Sequence, residues 1–108
     1  MPHYLFQAAY TVDSWKAFVK KPANRTEAVR STVEGLGGKL HGAWLAFGAH
    51  DVLGIIEMPD NVSAAALAIA VTAGGGLKSF QTTPLMTIEE GVQAMKKAGK
   101  SGYRPPGK

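Results

Sequence analysis

The stretch Gly48-Ala49-His50-Asp51-Val52-Leu53-Gly54-Ile55-Ile56-Glu57-Met58-Pro59-Asp60 constrains the fold of this chain more than any other. Gly48-Ala49 reads as a tight turn between two β-prone runs, Leu40 to Phe47 and His50 to Met58, which are then antiparallel neighbours. Pro59-Asp60-Asn61 stops the second run and offers an N-cap to a helix over Val62 to Thr72. A hairpin followed at once by a helix is half of a βαββαβ unit.

The rest of the chain supplies the other half. Residues 4–11 are β-prone and form a first strand. Asp13 is placed to cap a short helical turn carrying Trp15, Phe18 and Val19, which Pro22 ends. From Asn24 to Leu36, Ala28, Val29, Thr32, Val33 and Leu36 recur at three and four residues, one face of a helix. Gly37-Gly38 and Gly74-Gly75-Gly76 are helix stops. Leu77 to Met86 makes a fourth strand. Thr87-Ile88-Glu89-Glu90 is a capping box opening a last helix to about residue 97. The expected fold is α+β: a ferredoxin-like βαββαβ sheet with both helices on one face and an added C-terminal helix. The domain is expected over 1–98, with a basic tail over 99–108.

Composition narrows the function classes. Of 108 residues 45% are hydrophobic and none is cysteine, which excludes disulfides, thiolate metal sites and a cysteine nucleophile. The net charge of +4 belongs to the end of the chain: Lys96, Lys97, Lys100, Arg104 and Lys108 are five of the 12 basic residues. The other seven face eight acids, so the domain is near neutral and no nucleic-acid partner is expected. The longest apolar run, Ala64 to Val71, is far short of the ~20 residues that span a bilayer. No basic and apolar leader is visible, and a soluble cytoplasmic protein without a membrane partner is expected.

Strand alternation assigns faces. Val52, Ile56 and Met58 are expected beneath the helices, because that set carries no charge. The opposite face then holds Asp51, Leu53, Ile55 and Glu57 with His41, Leu45 and Phe47 of the preceding strand. Pairing in which residue numbers sum to 98 sets Trp44 against Gly54, in the core, and His41 against Glu57. An apolar floor with ionisable ends fits an interface enclosing a cavity.

Glu57 can orient the His41 imidazole and raise its proton affinity, so these two are the candidate acid/base pair. Tyr10, Phe47, His50, Asp51 and Lys78 are the candidate ligand contacts. For Asp51, hydrogen bonding to backbone amides near the turn is the competing role. For Lys78 it is protection of a sheet edge. Arg25 is expected to pair with a nearby carboxylate. No metal and no cofactor is expected, because His41 and His50 stand on the order of 20 Å apart at about 3.3 Å per residue, and His3 reads as a solvated terminal residue.

Gly48-Ala49-His50-Asp51, with His50 in the place of a tyrosine, resembles the signature of the GYD-domain family in the dimeric α/β-barrel superfamily. Glu57-Met58-Pro59-Asp60 is similar to that family's Glu-x-Pro-Asp, and Lys21 to Arg25 leading to Gly37-Gly38 to its first helix and glycine pair. Trp15 departs from the pattern, which has a small residue there. The resemblance implies a homodimer, with further assembly open, whose two sheets pack around a cavity. The function expected is small-ligand binding in an accessory or stress-related role. The alternative is a cofactor-independent monooxygenase or isomerase acting on a small aromatic or enolisable molecule.

Overall fold

A computed structural model describes residues 1–107. Its elements run β1 (His3–Tyr10), α1 (Val12–Lys20), α2 (Thr26–Gly35), β2 (Lys39–Leu45), β3 (Val52–Glu57), α3 (Asn61–Ala73), β4 (Leu77–Leu85) and α4 (Ile88–Gly99). The four strands form one antiparallel sheet in the order β2-β3-β1-β4, the ferredoxin-like arrangement.

Local chemistry sets most boundaries. Thr11, not Asp13, caps α1, its side chain accepting from the Ser14 N–H at 3.1 Å; Asp13 falls in the first turn, where a carboxylate suits the helix dipole. Asp60 caps α3 through the Ser63 N–H at 2.8 Å. The capping box at Thr87 and Glu90 closes in both directions, each bond 3.0 Å long.

Hydrogen bonding from Ser63, its backbone N–H first, holds the Asp60 carboxyl below its usual value of 3.8. Because the folded value is the lower one, the stabilisation is present above the unfolded value and is lost as pH falls through the folded one. Asp60→Asn, which caps without titrating, is expected to flatten the fall in thermal midpoint below about pH 4. A variant that melts with the same acid slope as the parent contradicts this.

The core lies between the sheet and helices α2 and α3. Leu40, Ile56, Met58 and Val33 are its largest fully buried side chains, with Tyr4, Phe6, Ala64 and Leu67 around them. The Tyr4 hydroxyl donates to Asn61 Oδ1 at 2.6 Å and ties β1 to the start of α3. Val52, Ile56 and Met58 do face the helices. Helix α4 differs: none of its residues is buried, and Ile88 and Met95 are exposed. It contributes to a radius of gyration of 17.5 Å, well above the ~13 Å of a compact 100-residue domain. Among the described residues no helix is long and apolar enough to cross a membrane.

The hairpin departs from the expected register. Leu40 pairs with Ile56 but Gly42 with Ile55, so His41 is an extra, bulged residue. Beyond it the phase inverts. Ala43, not Trp44, sits opposite Gly54 and packs against the core. Trp44 sits opposite Leu53 on the outer face, 55% exposed, with its indole over Gly42. Leu45 moves to the helix side, opposite Val52. The turn is also longer than Gly48-Ala49: residues 46–51 connect the strands, closed by the Ala46 N–H to the Asp51 carbonyl at 2.7 Å.

Candidate functional site

Two places on this sheet gather side chains with chemistry. The first is a cleft of about 790 Å³ on the helix side, between α1, α3 and the exposed end of the sheet. Phe6, Tyr10, Trp15, Phe18, Arg25 and Phe80 are among its lining residues. Three of the aromatics form a mutually edge-on triangle: Tyr10 to Trp15 at 5.3 Å, Tyr10 to Phe18 at 5.0 Å and Trp15 to Phe18 at 5.9 Å. Phe6 and Phe80 stack at 5.9 Å on the sheet below.

Asp51 holds this wall in place. Its Oδ2 accepts from the Tyr10 backbone N–H at 2.8 Å and from Trp15 Nε1 at 3.3 Å. One carboxylate thus fixes the end of β1 and the indole of α1. The Ser14 hydroxyl adds a bond to the Gly76 carbonyl at 2.8 Å, tying α1 to the α3–β4 turn. Asp51 therefore bonds a backbone amide, as the turn chemistry suggested, but on β1 and not within the hairpin loop.

Burial pushes the Tyr10 hydroxyl above the usual phenol range. The Arg25 guanidinium draws it back, and the Asp51 carboxylate adds to the rise. Tyr10 is accordingly a neutral donor at physiological pH. Arg25, expected to pair with a carboxylate, has no ion-pair partner among the described residues. The cleft thus combines an apolar body with a phenol and an unpaired cation.

The second place is the outer sheet face, opposite the core that α2 and α3 cover. Leu5, Leu53, Ile55, Trp44 and Leu85 make its apolar part. At one end Glu57, on the middle strand β3, stands between His3 of β1 and His41 of β2. Its Oε1 is 3.2 Å from His3 Nε2 and its Oε2 is 3.4 Å from His41 Nε2. The two imidazoles stack with centroids 5.3 Å apart. The expected His41–Glu57 pair therefore forms, through the bulge and not through a regular cross-strand position, where Lys39 stands instead.

The remaining residues named from the sequence are not brought together. Phe47 is fully exposed in the hairpin loop and lies on neither face. His50 is half-buried in the same loop. Lys78 is exposed on β4, an edge strand, and is not among the residues lining the cleft. Lys108 of the basic tail lies outside the described residues. Sequence reasoning missed Trp15 and Phe18 as site residues, although their three-residue spacing is a helical face. It missed His3 because the register that pairs it with Glu57 is non-local.

A family model described as GYD domain matches residues 4–97. No curated protein matches the chain.

Proposed function

We propose, from the premise that this chain belongs to the GYD-domain family, that it is a homodimeric small-ligand-binding protein. The observation that carries the binding is the aromatic cleft with Tyr10 and Arg25 on its lining. Apolar walls bind the body of a ligand, and a few convergent polar groups fix its orientation. A phenol donor and a guanidinium without a carboxylate select a small aromatic or apolar molecule carrying an anionic group. Dimer formation is supported by the uncovered apolar face of the sheet and by the exposed amphipathic helix α4, two surfaces that a second copy would cover.

Benzoate and salicylate are suitable probes, read by quenching of Trp15 in a Trp44→Phe background that leaves a single indole. Saturable quenching is expected, and Arg25→Ala should weaken it tenfold or more, since a hydrogen bond to a charged group contributes about 1.5–3 kcal/mol. Sedimentation equilibrium of the same samples should give twice the chain mass. No saturable quenching at millimolar probe, or equal affinity in Arg25→Ala, overturns the ligand reading; a monomer overturns the dimer.

A further inference from the structure

The strongest unassigned chemistry lies at the other end of the sheet, and it is independent of the cleft. We propose that His3, His41 and Glu57 bind one divalent first-row transition metal ion, with Zn2+ as the reference case. Three neighbouring strands supply one ligand each, Glu57 in the middle and a histidine on either side. The donor atoms all lie within 4.8 Å of one another.

The distances have the size a metal requires. Ligand nitrogens and oxygens sit about 2.0–2.2 Å from Zn2+, which sets adjacent donors of one tetrahedron roughly 3.3–3.5 Å apart. Glu57 Oε1 lies 3.2 Å from His3 Nε2 and Oε2 lies 3.4 Å from His41 Nε2, each close to that edge length. With one donor atom from each residue the three lie within 4.8 Å of one another, so the set has to contract to close on one ion. Both rings are partly exposed, at 47% for His3 and 38% for His41, which leaves them room to rotate.

Donor chemistry points the same way. Two imidazole nitrogens beside a carboxylate are a set that suits Zn2+, Co2+, Ni2+ or Cu2+ and not Ca2+ or Mg2+. Three protein ligands leave at least one coordination position for water or an external ligand atom. The bulge at His41 gives this reading its geometric basis. Lys39 stands in the regular position opposite Glu57, and the extra residue adds an imidazole on the outer face without disturbing Leu40 in the core.

The test uses the full chain, untagged and stripped with chelator, titrated with Co2+ and followed by its visible absorption. One Co2+ per chain is expected, displaced by Zn2+ and not by Mg2+. His41→Gln and Glu57→Gln should each weaken binding more than tenfold, while His50→Gln leaves it unchanged. His3→Gln, at the first residue of β1, provides a second histidine variant, and far-ultraviolet circular dichroism identifies which variants are folded. Failure of the parent chain to saturate at millimolar Co2+ overturns the proposal. So does binding that survives in folded His41→Gln or His3→Gln, or that follows His50. A shared ion-pair role without metal predicts the first of these outcomes.

Discussion

Gly54→Val is expected to destabilise the domain by about 3 kcal/mol, at the upper end of what overpacking a tight core costs. A Cβ at Gly54 meets the Phe6 ring at Cε2 and Cζ and lies 2.8 Å from the Gly42 carbonyl oxygen. Neither can retreat easily. Phe6 is buried, and its ring stacks on Phe80 at 5.9 Å; the Gly42 carbonyl belongs to the neighbouring strand. Urea unfolding at one fixed protein concentration reads the effect, since coupled association would otherwise move the midpoint. Pairing Gly54→Val with Phe6→Leu should recover part of the loss, because the two changes share one contact. A single variant within about 0.5 kcal/mol of the parent rejects the close approach of Phe6 to the β3 backbone.

The second large effect falls on Asp51. Its carboxylate oxygen serves two donors from different elements, the Tyr10 N–H and the Trp15 indole. Asp51→Ala leaves both without that acceptor, and a loss of about 2–3 kcal/mol follows, since hydrogen bonds to a charged group contribute roughly 1.5–3 kcal/mol. Asp51→Asn keeps one acceptor oxygen in the same place and should lose clearly less. The Trp15 emission should move to the red in Asp51→Ala as the aromatic triangle loosens and the indole gains water. Full stability with unchanged emission would mean that Asp51 is free for a ligand instead of holding the wall of the cleft.

The parts of this fold written in local chemistry were legible. The order of elements, the glycine stops and the reciprocal cap at Thr87 and Glu90 depend on residues a few positions apart, where spacing and side-chain type decide the outcome. The face of β3 beneath the helices was legible too, because period-two alternation in Val52, Ile56 and Met58 carries no charge. What escaped depends on pairings distant in sequence. A bulge adds one residue without any compositional mark, so the phase of β2 beyond His41 could be read only from its partner strand. The same holds for His3, whose neighbour Glu57 is fixed by β1–β3 pairing. Trp15 became a wall of the cleft because an acid 36 positions away accepts from its indole. His41 with Glu57 was found despite the wrong register, since both side chains do face outward.

Between Leu40 and Gly42 the partner strand β3 advances by a single residue, from Ile56 to Ile55. His41 therefore occupies chain length that the ladder does not count. Excising it would leave Leu40 opposite Ile56 and Gly42 opposite Ile55, with every inward and outward residue of the hairpin still on its own side. In design terms the imidazole is a detachable module: what it does can be gained or lost by one codon inserted or removed, while the core beneath it keeps its packing.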